Sequence, residues 1–128
     1  MIILIDTGTP VCRLTFIDGD WRQDNEWEAG RTLAKGLLGY LNETLQKYGK
    51  TWSDISAIGV FEGPGSFTGL RIGLTVMNTI ADAQNIPIVG GKGDRWQDEV
   101  IAKFNSGVSE KIVLPYYGSE AHITAPKK

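Results

Sequence analysis

FEGPGSFTGLRIG, residues 61–73, decides how the chain is read. It holds Gly63, Gly65, Gly69 and Gly73, one proline, two hydroxyls and a single arginine. Ala57–Phe61, just before it, is a short apolar run of the kind that forms a buried strand. Leu70, Leu74, Met77 and Ala81, running on from its second half, recur at helical spacing. The segment is therefore an elbow from strand to helix, with Ser66 placed to cap the helix. A helix N-terminus attracts anions. However, the Gly-x-x-x-x-Gly-Lys-Ser loop is absent, and Thr68 stands where Gly-x-Gly-x-x-Gly needs a third glycine. Gly69 and Gly73 share one helix face. A glycine inside a helix costs about 1 kcal/mol relative to alanine, so a pair needs a compensating close approach. Gly36 and Gly39 notch the helix before it. Two notched helices predict tight helix–helix packing, either within the chain or with a partner. Arg71 reads as a partner for Glu62 or Asp6, or as a surface residue.

Outward from the elbow, the apolar run Ile2–Ile5 predicts a buried strand ended by Asp6. Val11–Ile17 is β-rich, and Asp18-Gly19-Asp20 signals a hairpin. Trp21, Gln23, Asn25 and Trp27 alternate in a third strand with one wet face, near a sheet edge. If Trp21 and Trp27 faced outward together they would form a sticky patch. Leu33, Leu37, Leu41 and Leu45 then mark an amphipathic helix from Arg31, ended by Gly49 as a left-handed cap. Trp52–Ile55 connects it to the strand before the elbow. The second helix ends before Pro87, and Ile86–Val89 predicts another buried strand. Asp94–Phe104 suits a polar helix, Asn105–Ser109 a turn, and Lys111–Tyr117 a last strand. Glu120–Thr124 is a candidate further strand, and the Ala125–Lys128 tail is expected to fray. The order β-β-β-α-β-α-β-α-β predicts an α/β fold, a mixed sheet in which a meander leads into βαβ crossovers.

The totals bound the function. A chain of 128 residues with 41% hydrophobic and 22% charged residues reads as one domain with a sizeable core. A net charge of −2, with scattered Lys and Arg, gives no nucleic-acid stripe. The single cysteine, Cys12, excludes an intrachain disulfide and is expected in the core. The opening MIILIDTGT has no basic stretch, and its apolar run is too short for a leader or a membrane span, so the expected location is cytoplasmic. Catalytic sets are thin. His122 is the only histidine, and neither Cys-x-x-Cys nor His-x-x-x-His occurs, so no metal site, cofactor or catalytic residue is assigned. Asp6-Thr7-Gly8-Thr9 admits three readings. One is half of an aspartic protease site, disfavoured by the two leucine-patterned helices. Another is a phosphate loop whose backbone N–H groups approach an anion. The third is a plain turn in which Asp6 accepts backbone hydrogen bonds.

Val60–Gly73, with its Gly-Pro-Gly-Ser-Phe-Thr-Gly-x-Arg run, closely resembles the signature of the TsaB (YeaZ) proteins. Ile5-Asp6-Thr7, the meander, the leucine-rich helix and Pro87-Ile88-Val89-Gly90 fit the same pattern, so the resemblance covers roughly residues 1–90. It implies the actin-like, ribonuclease-H-like (ASKHA) fold and a non-catalytic subunit that supports a TsaD-like enzyme in forming threonylcarbamoyladenosine (t6A) in tRNA. It also implies a TsaE-like ATPase in the same assembly, a homodimer when the chain is alone, only indirect contact with tRNA, and no membrane. The implied partner interface lies on the helices bearing Gly36, Gly39, Tyr40, Phe67, Gly69, Leu70, Gly73, Leu74 and Met77. Asp6, Thr7, Gly8, Gly63, Gly65, Ser66 and Arg71 match a degenerate phosphate loop and motif. Typical members carry a second, similar lobe. The chain reads as a single first lobe over residues 1–128, with residues 110–128 as a stub of the second. Alternatives are a nucleotide-binding or phosphoryl-transfer protein using Asp6–Thr9, and a homodimeric interaction module without a tRNA role.

Overall fold

The structure, a computed structural model, describes residues 1–116. The predicted strand Glu120–Thr124, His122 and the tail lie outside the described residues. The strands are β1 (Ile2–Asp6), β2 (Val11–Asp18), β3 (Trp21–Glu28), β4 (Ala57–Gly63) and β5 (Ile88–Lys92). The α-helices are α1 (Leu33–Lys47), α2 (Phe67–Gln84) and α3 (Trp96–Asn105). The five strands form one sheet in the order β3-β2-β1-β4-β5. The meander pairs antiparallel, while β1–β4 and β4–β5 pair parallel. No helix among the described residues is long and apolar enough to cross a membrane.

Strand alternation divides the core into two layers. Ile3, Ile5, Leu14, Phe16, Ile58 and Val60 face one way and meet the leucine row of α1 and the Leu74–Met77–Ala81 row of α2. Leu4 and Val89 face the other way and meet Trp96 and Val100 of α3, with Ile2, Ile17 and Phe61 at the margin. On the outer half of that second face, Arg22, Asp24, Glu26 and Glu28 leave β3 wet. The two tryptophans of β3 do not form an outward patch. Trp27 stacks on Tyr40 at 4.9 Å, and Trp21 meets Tyr48 edge-on at 5.5 Å, so both are spent on α1. Gly36 makes room for the Trp27 ring, since a methyl there would stand 2.8 Å from it.

Two boundaries differ from expectation for identifiable reasons. Strand β5 starts at Ile88 rather than Ile86. The Ile86 N–H is used to close α2 onto Ala81 O, beside a left-handed Asn85 cap. More importantly, the strand expected over Lys111–Tyr117 does not form across residues 111–116. Among the described residues only a single bridge, Glu110 to Ile88, touches the outer edge of β5. That edge is already capped by side chains. Glu110 Oε1 accepts from Gly90 N–H at 2.8 Å, Lys103 Nζ donates to Gly90 O at 2.6 Å, and Glu99 Oε1 accepts from Lys92 N–H at 3.0 Å. Charged groups on an edge block further strand addition. The segment instead turns up along α2, where Asn78 holds Val113 by both backbone groups, at 2.8 and 2.9 Å.

The glycines of α2 and its elbow receive the β1–β2 turn, not another helix. A methyl at Gly69 would overlap the carbonyl oxygen of Thr7, and one at Gly73 would overlap the Thr7 side chain. A methyl at Gly65 would stand 2.8 Å from the carbonyl oxygen of Gly8. Through this gap Thr7 Oγ1 donates to Gly69 O at 2.8 Å, and Ser66 N–H donates to Gly8 O at 2.7 Å.

Three substitutions test the glycine contacts, two in this gap and one at an open site. Gly73→Val is expected to destabilise the fold by about 1–3 kcal/mol through overpacking. Gly39→Ala, at an exposed site with nothing within 4 Å, should stabilise by about 0.5–1 kcal/mol; urea unfolding measures both. Thr7→Val keeps the shape but removes the hydroxyl, and should cost about 1 kcal/mol; no loss in the same assay would mean that the hydrogen bond contributes nothing.

Candidate partner interface and the Asp6–Gly8 turn

Helices α1 and α2 lie side by side on one face of the sheet, and each spends one stripe on the core. Leu70 and Met77 are fully buried, and Gly73 and Leu74 nearly so. Gly69 is taken by Thr7, and Gly36 and Tyr40 by Trp27. The structure thus turns seven of the nine residues expected at a partner interface toward this chain's own interior. Gly39 and Phe67 remain at the surface. The outward face is built from neighbours one step round each helix. Ala34 of α1 and Phe67, Thr68, Ile72, Thr75 and Val76 of α2 line a groove of about 460 Å³. Leu38, one turn on from Ala34, is 56% exposed, and Phe67 is 55% exposed. A signal for this stripe exists in the sequence. Leu38 breaks the four-residue leucine row of α1, and Ile72 and Val76 lie off the Leu70–Leu74–Met77 row of α2. A wide apolar face reads the same, however, whether its edge is covered or open.

Arg71 does not pair with Asp6 or Glu62 among the described residues. It lies over the Phe67 ring, 5.1 Å from the centroid and one helical turn away, at the rim of the groove. Ser66 is the helix cap that its position predicted, with its hydroxyl accepting from Gly69 N–H at 3.2 Å. Gly63, at φ +123°, brings the end of β4 against the backbone of Tyr116, a contact that a side chain would block.

The Asp6–Gly8 turn follows the plain reading. Asp6 Oδ1 accepts from Gly8 N–H at 2.7 Å, the self-bonded turn expected of aspartate. Burial raises the Asp6 carboxyl above its ordinary value, opposed by that hydrogen bond and by the charge of Arg13. Gly8 O and Thr7 Oγ1 are both turned onto α2. A cleft of about 300 Å³ opens beside the turn between Phe61, Pro64 and Trp96, with Asp6 and Asp94 on its walls. The Gly8 N–H that a phosphate loop would offer is already donated to Asp6, and the two carboxyl groups repel an anion. Among the described residues no group of three or more His, Cys, Asp or Glu is arranged to hold a metal ion. Cys12 is a buried core thiol, pushed up to about 12 chiefly by burial and then by Asp6.

Comparison with known proteins agrees with this architecture. The model of the family described as "TsaD: tRNA N6-adenosine threonylcarbamoyltransferase" matches residues 27–91, half of the chain. The tRNA threonylcarbamoyladenosine biosynthesis protein TsaB of Haemophilus influenzae is 30% identical over 89 residues, covering 69% of this chain and 37% of that protein. The tRNA N6-adenosine threonylcarbamoyltransferase of Bacillus subtilis is 46% identical over 50 residues, covering 39% of this chain and 14% of that enzyme. The solved structure of YeaZ from Pseudomonas aeruginosa superposes with a TM-score of 0.66 at 27% identity, over 71% of this chain and 43% of that one. This chain therefore spans about two-fifths of the length of the TsaB proteins it matches. The mixed sheet with helices on both faces is the actin-like, ribonuclease-H-like fold of the YeaZ structures. From the family match, the related sequences and the shared fold, the chain belongs to the TsaD family and, within it, to the TsaB (YeaZ) proteins.

Proposed function

We propose that this chain is a non-catalytic partner subunit that binds and supports a TsaD-like enzyme in the formation of threonylcarbamoyladenosine in tRNA. The observation that carries the reading is the open apolar groove on the outward face of α1 and α2, flanked by Leu38 and Phe67. The names of its relatives place them in that biosynthesis. Their shared ancestry with the transferase itself offers the partner a helix pair of matching shape. In this reading the residues described here act as the first lobe. Two helices from each side bury the ~1,200–2,000 Å² usual for a stable interface, holding the enzyme in its active arrangement. Arg71 adds a cation at the rim, where charge steers and orients more than it binds. The chain pairs with itself through the same surface when the partner is absent, meets tRNA only through the assembly, and shares that assembly with a TsaE-like ATPase. Its setting is cytoplasmic, where tRNA is modified.

Light scattering on the chain, alone and mixed with the TsaD-like subunit from the same source, tests this. A 1:1 complex that replaces a homodimer is expected. Leu38→Glu and Phe67→Glu, both at exposed sites, should each weaken that complex by about tenfold or more, and Leu38→Glu should leave the urea midpoint of the free chain unchanged. A complex indifferent to both changes would move the interface elsewhere. No complex at tens of micromolar, with nucleotide binding found instead by calorimetry and lost in Asp6→Asn, would replace this reading with the nucleotide-binding one.

A further inference from the structure

Glu62 is the penultimate residue of β4 and shares the face of Ile58 and Val60. It is only 8% exposed, and its Oε1 is buried with no hydrogen-bond partner among the described residues. A buried carboxyl oxygen without a donor is costly, far more so when it is charged. Gly90 makes space for it. A methyl there would stand 2.5 Å from the Glu62 carboxyl carbon and 2.7 Å from a methyl of Val113. Val113 and the Glu62 carboxyl therefore meet over the same glycine.

What closes the site is the segment that failed to become a strand. Residues 111–116 run across it as a strap. Val113 is 1% exposed and points inward, while Ile112 and Leu114 are 59% and 65% exposed and point out. The strap is held at two points, by the Asn78 amide on Val113 and by Tyr116 N–H, which donates to Glu62 O at 2.7 Å. Among the described residues, the charged groups that act on the carboxyl come from β5, α3 or the base of the strap. Lys92 and Lys103 favour its ionised form, and Glu110 and Glu99 oppose it. Lys103 is already shared between Glu99 and Glu110, at 3.2 and 3.4 Å, and Lys92 lies over the Tyr116 ring at 5.2 Å.

We propose that residues 111–116 are a strap whose closure over α2 and β4 is controlled by the charge of Glu62: closed over the neutral acid, released when the carboxylate forms. The neutral acid tolerates the buried site under Val113. The carboxylate does not, and lifting the strap admits water to solvate it. Burial raises this carboxyl above its ordinary value, ahead of the opposing effect of Lys92. The sign follows by linkage. A carboxyl that binds its proton more tightly in the closed form favours closure at low pH, and closure weakens as pH rises through that higher value. Arg71 and Thr75 line both the groove under the strap and the α1–α2 groove, so release alters the surface offered for docking.

Two-dimensional nuclear magnetic resonance on the whole chain provides the test. The Asn78 side-chain amide and the Val113 and Tyr116 backbone amides report closure. From ~pH 4 to ~pH 8 they should move together with a single midpoint above that of ordinary glutamate, the closed-to-released ratio falling by about tenfold or more. Signals from the sheet should hold still, which separates release from unfolding. Glu62→Gln, the neutral isostere, should keep the strap closed across the whole range. Two results would overturn the proposal: strap signals that stay fixed in the unaltered chain, or a Glu62→Gln chain that titrates with the same midpoint, which would assign the transition to Glu110 or Glu99.

Discussion

The contact between the Asp6–Gly8 turn and the first turns of α2 is the constraint on which the rest of the molecule depends. Thr7 and Gly8 press against α2 so closely that side chains at Gly65, Gly69 and Gly73 would collide with them. Two hydrogen bonds cross the gap, from Thr7 to Gly69 and from Ser66 to Gly8. The Ser66 hydroxyl caps the same helix at the same place. Because β1 is the central strand, this clamp locks α2 to the middle of the sheet. The helical glycines each carry a cost, and the cost is offset by a backbone approach that no other residue allows. The same clamp turns the polar groups of the turn inward, which leaves it poorly equipped to hold a phosphate.

The outward face of the helix layer is a consequence. With the glycine and leucine rows of α2 committed to Thr7 and the core, Ile72, Thr75 and Val76 are left at the surface beside Ala34 of α1. Trp27 and Tyr40 close the neighbouring side by stacking. An open apolar groove is left between the two helices, and a partner of similar helical shape would fit it. The contact that seats α2 on the sheet also decides which of its residues face outward.

The far edge of the sheet shows a second constraint. Glu99, Lys103 and Glu110 satisfy the outer backbone groups of β5. A chain that reads as a strand over residues 111–116 is therefore diverted onto α2, where Asn78 supplies the paired hydrogen bonds that a strand would have given. The diversion covers Glu62 and gives the chain a buried carboxyl in a mostly apolar layer.

Much of this was legible in the sequence alone. The β-meander, both leucine-patterned helices, the Ser66 cap, the Gly49 left-handed end and the buried β4 all rest on local periodicity and turn chemistry, which act over a few residues. The Gly63–Gly73 signature carried the family. Three features depended on tertiary structure. The glycines of α2 meet a turn roughly sixty residues away in the chain, and spacing says that something approaches without saying what. Leu38 and Phe67 are exposed because the sheet under α1 and α2 has room for only one stripe of each helix. Residues 111–116 lie off the sheet because distant side chains had already occupied its edge. In each case a local pattern defines what an element can bury, and the groups brought against it from elsewhere in the chain decide what it does bury.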